Sequence, residues 1–303
     1  MRQGLVRVAC VLALMGVFSG VSFAGELGHY PLGSEGVKGG TIPPPGTYYR
    51  MYTTYYYADK VIGSDGHRVD TNYRLHLFAN VHRLVWVSHK KMFGADYFAD
   101  ALIPFLYTEV EAKHLGPGPD DHDFCYGDIN VEPFGLAWHQ PQYDVSMGLS
   151  FFAPTGKFNK NNPASPGRDF WTQMTTLGGT WYPDKEKTWS ASILSRYEIH
   201  TTKDHSDVRP GRNFLFEWGI SKMIPPCWEL GVAGYSQWQV GDDSGSDVTW
   251  DKSVHDRVSA VGPEINLGDP ATGCFYSLRL LKEFSAVDRP EGWVVTFTWT
   301  KCF

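Results

Sequence analysis

The chain has 303 residues, 15% of them aromatic and 42% hydrophobic, with a formal charge of −6. The acidic balance speaks against a nucleic-acid partner, which would favour a basic stripe. Abundant aromatics at modest total hydrophobicity do not suit an ordinary soluble core. They suit a wall with one apolar face and aromatic girdles at two interfaces.

The first element in chain order is a secretory signal, predicted over residues 1–24. Arg2 and Arg7 give a basic start, Val8 to Phe23 are apolar or small, and Ser22-Phe23-Ala24 has the small-x-small pattern of a cleavage site. Cleavage after Ala24 removes two arginines and takes the formal charge from −6 to about −8. The competing reading, a membrane anchor, fails on length. The apolar core is shorter than the ~20 residues of a spanning helix, and no charged flank follows it. Cys10 precedes that core and is not a lipid-attachment site. No other stretch could span a bilayer as a helix, so a membrane fold here has to be a closed barrel.

Residues 25–46 form a Gly/Pro-rich arm that ends in Pro43-Pro44-Pro45-Gly46 and has no regular period. Whether it sits inside a barrel or hangs beneath one is open at this point. The remainder, 47–303, breaks into segments rich in aromatic and β-branched residues. Strands are predicted over 48–60, 69–87, 95–112, 127–139, 143–153, 169–182, 188–200, 213–224, 228–240, 257–267, 274–284 and 293–303. In 213–224, Phe214, Phe216, Trp218 and Ile220 share a face opposite Glu217, Gly219 and Ser221. In 293–303, Trp293, Val295, Phe297, Trp299 and Phe303 oppose Thr296, Thr298 and Thr300. Lys301 is the exception on the apolar face, near enough to the end to snorkel. A helix would not keep a period of two. Segment 127–139 alternates poorly.

Connections alternate as well. Long polar loops (116–126, 155–168, 201–212, 241–256) follow odd-numbered strands, and short turns (140–142, 183–187, 225–227, 268–273) follow even-numbered ones. The fold class is therefore all-β: a transmembrane antiparallel β-barrel of about twelve strands, with short periplasmic turns and long extracellular loops. Its place is the outer membrane of a Gram-negative bacterium, among outer-membrane lipids. The terminal Phe303, closing an alternating strand, looks like the signal that outer-membrane assembly machinery reads.

Charges in strand interiors are the candidate lumen lining: Arg196, Glu198, Glu217, Glu229, Arg279 and Glu283. In a barrel they must be paired or hydrated, either as a structural network or as a selectivity element. Four cysteines remain beyond the signal: Cys125, Cys227, Cys274 and Cys302. A Cys274–Cys302 bridge closing the last hairpin is one arrangement in an oxidising periplasm; free thiols or a partnership with Cys227 are the others. Loop 114–122, with Asp120 and Asp121, lacks the ligand spacing of a metal site. His139, His200 and His205 are available to an enzyme, but no G-x-S-x-G elbow or comparable motif accompanies them. No catalytic, cofactor or metal site is predicted.

Several short patterns are similar to one family. Gly28-His29-Tyr30-Pro31-Leu32-Gly33 resembles the G-x-Y-x-P-G leader of the "putative meta-pathway of phenol degradation" outer-membrane proteins, with Leu32 where that family tends to have Pro. Pro45-Gly46-Thr47-Tyr48 with Tyr57-Ala58-Asp59, Gly127-Asp128-Ile129 with Pro133, Phe152-Ala153-Pro154-Thr155-Gly156 and Val261-Gly262-Pro263-Glu264 match in order. The resemblance implies a barrel that passes small hydrophobic or aromatic compounds across the outer membrane, similar in outline to hydrophobic-substrate channels. The alternative is a structural or adhesive barrel with a closed lumen. What separates the two is whether an apolar path runs inward from the outer loops.

Overall fold

The computed structural model describes residues 27–69, 72–112, 121–160, 162 and 164–303. The predicted secretory signal lies outside the described residues. In chain order the strands are β1 (Gly46–Ile62), β2 (Arg68–Val69), β3 (Tyr73–Met92), β4 (Ala95–Ala112), β5 (Asp121–Tyr126), β6 (Ile129–His139) and β7 (Tyr143–Ala153). They continue as β8 (Thr172–Trp181), β9 (Trp189–His200), β10 (Asn213–Ile224), β11 (Trp228–Gln239), β12 (Arg257–Asp269), β13 (Cys274–Val287) and β14 (Arg289–Cys302). Twelve of these make an antiparallel barrel wall; β2 is a short partner of β1, and β5 extends β4 beyond β6.

Closure comes from β14 returning to β1, with Tyr48 opposite Cys302 and Tyr57 opposite Trp293. That pairing lets the backbone of the wall be satisfied within the sheet, which a lipid environment demands. All twelve predicted strands correspond to wall strands, with ends displaced by a few residues. The loop rhythm has one exception: β13 and β14 are joined through Asp288 alone, at positive φ. On the opposite, short-turn end, Phe93 and Gly94 both take positive φ and close the two-residue hairpin between β3 and β4.

Why these segments become wall is visible in their two faces. Leu177, Ile193, Ile220, Val232, Leu278 and Phe297 project outward and stay exposed, as an apolar belt must. Trp181, Trp189 and Trp228 ring the short-turn end, and Trp171, Trp238 and Trp293 ring the long-loop end. Inward positions are small or polar: Ser146, Ser150, Thr180, Ser190, Ser192 and Ser221 are all buried.

The poor alternation of 127–139 has a local cause. Register shifts between Val131 and Phe134, where one extra residue is inserted, so Asn130 and Glu132 face inward before the bulge and Gly135 and Ala137 after it. Pro133 sits at this bulge, where a central strand tolerates the missing donor. Its carbonyl accepts a hydrogen bond from the Tyr97 hydroxyl at 2.6 Å. Just inside, the Phe98 ring lies across Gly135 so closely that a Cβ there would come within 2.2 Å of it. Gly135→Leu is expected to destabilise the wall by roughly 1–3 kcal/mol through overpacking. A lower temperature for the heat-induced mobility shift on gels would register it.

Candidate functional site

The arm lies inside the barrel. His29 bridges Asp128 at 2.8 Å and Thr172 at 2.6 Å, residues at the long-loop ends of β6 and β8. Thr41 hydrogen-bonds Thr180 at 2.8 Å and Asp144 at 3.0 Å, at the opposite end. The segment between therefore runs the length of the lumen. Burial holds the His29 imidazole below its ordinary value despite the pull of Asp128, and the ring stacks on Phe152.

Carboxylates of the wall hold the arm's backbone. Tyr30 N–H donates to Glu198 at 2.9 Å, Glu35 N–H to Glu217 at 3.1 Å and Val37 N–H to Glu264 at 3.0 Å. Arg279 donates to the Ser34 carbonyl at 2.8 Å, and Ser146 to the Gly40 carbonyl at 3.0 Å. Lys38 pairs with Glu229 at 2.7 Å. Hydrogen bonds to charged groups contribute roughly 1.5–3 kcal/mol each, so several acting together fix the arm. Shape matches charge: a Cβ on Gly219 would come within 2.8 Å of the Val37 backbone, and one on Gly40 within 2.4 Å of Gly179. Arm and wall meet backbone to backbone, which glycine alone allows.

Five of the six charges singled out in the sequence thus touch the arm. Glu198, Glu217, Glu229 and Arg279 bond it directly, and the Arg196 guanidinium lies 3.8 Å over the Tyr30 ring while pairing with Glu217 at 3.2 Å. The sixth, Glu283, also borders the lumen but bonds wall residues rather than the arm, accepting from Tyr56, Tyr235 and the Gly292 N–H. The sequence reading missed Glu35, Arg50, Arg83, Asp100 and Glu132. Glu35 pairs with Arg50 at 2.8 Å and Arg83 at 2.7 Å, and accepts from the Tyr52 hydroxyl at 3.2 Å. Arg83 also meets Asp100 and, at 3.6 Å, Glu132. Burial opposes ionisation of Glu35, but Arg83, Arg50, Arg196 and Arg279 overcome it and hold its carboxyl at about 2. Inward parity with Tyr52 and Thr54 was the one available clue to Arg50.

Beside the arm runs a cavity of about 1150 Å³. Where β3 and β4 border it toward the long-loop end, its lining is apolar: Leu75, Leu77, Val81, Leu102, Pro104 and Leu106, all half-buried. The Glu35–Arg50–Arg83 layer lies beneath this vestibule. Below that, Ile42 packs against a buried cluster that includes Tyr48, Val85 and Phe98. The lumen thus has a polar sector, β7 to β13, that carries the arm, and on the β3–β4 side an apolar stretch, above the Glu35–Arg50–Arg83 layer, that faces open space.

Other sequence candidates lie apart. Cys274 and Cys302 are unbridged in the structure, as are Cys125 and Cys227. Register explains it: Cys274 stands opposite Lys301, so Cys302, one residue on, points to the other face. Of loop 114–122 and its neighbours, residues 113–120 lie outside the described residues, and Asp123 pairs with Lys157 at 2.9 Å. His139 contacts Asp144, His200 contacts Thr172 within the arm's socket, and His205 caps Asp169, so the three histidines do not converge.

The family model described as "Putative MetA-pathway of phenol degradation" matches residues 58–299. The chain belongs to this family. No curated protein matches it. Among solved structures, an outer-membrane channel from Pseudomonas putida F1 aligns with a TM-score of 0.77 at 14% identity, over 91% of this chain and 100% of that one. The translocator domain of the autotransporter NalP from Neisseria meningitidis aligns with a TM-score of 0.52 at 10% identity, over 88% and 91%. The transport unit of the autotransporter AIDA-I from Escherichia coli gives 0.51 at 9% identity, over 93% and 96%. These likenesses concern the fold. The chain shares the closed antiparallel β-barrel fold of these outer-membrane proteins.

Two outcomes follow for the arm. Glu217→Gln, which weakens both the Glu35 backbone bond and the Arg196 pair, is expected to raise proteinase K cleavage within the arm severalfold while the barrel stays heat-modifiable. The folded Glu35 carboxyl is held below its ordinary value of 4.5, so its contribution is complete above that value and lost as pH falls toward about 2. Hydrogen–deuterium exchange protection of the arm amides around Glu35, taken relative to the intrinsic exchange rate at each pH, should fall across that window.

Proposed function

We propose that the protein is a channel for the entry of small hydrophobic or aromatic molecules through the outer membrane. The observation that carries this reading is the apolar vestibule on β3 and β4, opening toward the long loops. A wall built only to be stable would not line open, hydrated space with Leu and Val, since that exposure is unfavourable without an apolar guest. Family membership agrees with it, as does the fold shared with the Pseudomonas putida outer-membrane channel. The role is transport without catalysis, and nucleic acid has no part in it.

In this account residues 1–24 are a cleaved secretory signal, and Phe303, exposed at 75%, presents the final strand to the assembly machinery. The charges Arg196, Glu198, Glu217, Glu229 and Arg279 act as the seat of the arm, and Glu283 as a brace within the wall. A closed structural barrel is the second reading, favoured by the arm's occupation of the lumen.

Single-channel recording of refolded protein in a planar bilayer separates the two. The channel reading predicts a small steady current that toluene or phenol reduces in a concentration-dependent way. A folded, heat-modifiable barrel with no current and no aromatic binding would support the closed barrel instead.

A further inference from the structure

The arm's contacts divide unevenly around the lumen. Its backbone and Lys38 are tied to β9–β13 by Glu198, Glu217, Glu229, Glu264 and Arg279, and Gly40 and Thr41 are tied to β7 and β8. Toward the apolar sector the pattern changes. Among the described residues, the arm segment 27–42 makes hydrogen bonds or ion pairs to β1 and β3 through one side chain only, Glu35, which reaches Arg50, Tyr52 and Arg83. Ile42 makes apolar contact lower down, with Val85, Phe98 and their neighbours.

We infer that passage is controlled by the Glu35 side chain on a stationary arm, with Arg50 and Arg83 as its partners, and that the arm itself does not leave the lumen. This rests on the channel reading above. Moving the arm would break the whole set of carboxylate bonds and separate surfaces that meet glycine to glycine. Opening at Glu35 breaks one cluster, and each of its arginines has somewhere to go. Arg83 already meets Asp100 and Glu132, and Arg50 donates to Thr300 at 3.0 Å. Rotation of Glu35 toward Arg196, now 3.9 Å away, would keep its charge paired on the arm's own side. The crescent between arm and β1–β4 would then connect the vestibule with the Ile42 level. There the remaining contacts are apolar and present little barrier to an apolar solute. Glu35 is accordingly the specificity-determining residue of this crescent: paired, it sets a charged threshold beneath an apolar vestibule.

The test combines a lock on the arm with a change at the threshold. With the four cysteines Cys125, Cys227, Cys274 and Cys302 replaced by serine, Thr41→Cys and Thr180→Cys replace hydroxyls 2.8 Å apart and allow a disulfide to tether the arm at the short-turn end. Potassium current in planar bilayers and toluene entry into liposomes are then read with the tether oxidised and reduced. Stationary-arm control predicts the same current and entry in both states. Glu35→Gln and Glu35→Ala are each expected to raise the current severalfold, tethered or not. Current that vanishes on oxidation and returns on reduction would overturn the inference, as would unchanged current in both Glu35 variants. If the Glu35 variants raise the current yet no toluene enters through any form, the threshold stands and the hydrophobic-channel reading fails.

Discussion

A sheet that borders lipid has to pair every backbone group, and the return of β14 to β1 is what meets that requirement here. The rest follows from it. Closing twelve strands leaves a lumen wider than the wall's own side chains can fill, and an inward face of serine, threonine and glycine widens it further. The arm occupies that space. Because the arm is a run of turns with neither helix nor sheet of its own, most of its N–H and C=O groups need partners from the wall. The inward carboxylates on β9, β10 and β12, together with Arg279 and Ser146, supply them. The charges of the polar sector answer the arm's backbone rather than a passing solute.

That assignment leaves the apolar sector as the unusual part of the molecule. On β3 the ordinary rule is partly inverted: Leu75, Leu77, Ala79 and Val81 line the lumen, whereas His76, Asn80 and His82 face outward among Phe78, Leu84 and Trp86. The outward polar groups are paired with β1, Asn80 with Thr53 at 3.0 Å and the Tyr55 hydroxyl with His76 at 2.7 Å. Outward polarity has a cost in lipid, offset locally by these bonds, and the apolar groups so freed are spent on the inside. A lumen lining that gains nothing from water is informative precisely where the wall has given up part of its lipid face to obtain it.

Much of the architecture was legible in the chain. Period-two alternation in segments such as 213–224 and the long–short rhythm of the connections are local properties, so strand number, closure and loop placement could be read directly. Segment 127–139 resisted because its face assignment flips at the Pro133 bulge, which no local pattern reports. The site was half legible. Glu198, Glu217 and Arg279 were picked out as strand-interior charges, but their partner, the arm, carries no period and finds its place only through long-range contacts. Glu35 was invisible for the same reason, and the vestibule because inversion on β3 points its leucines inward, against the expectation that apolar faces meet lipid.

The central claim is that apolar solutes travel along the β3–β4 side of the lumen. Leu77→Asn and Leu106→Asn, both inward and half-buried, make that face polar at positions whose cross-strand partners on β1, β3 and β4 are Tyr56, Ala79 and Thr108 rather than Arg50, Tyr52, Arg83 or Asp100. Toluene flux into liposomes carrying either variant is the direct measurement. The account predicts a severalfold lower flux with potassium current at or above the wild-type level. Flux equal to wild type in both variants, with folding intact, would place the route elsewhere and contradict it.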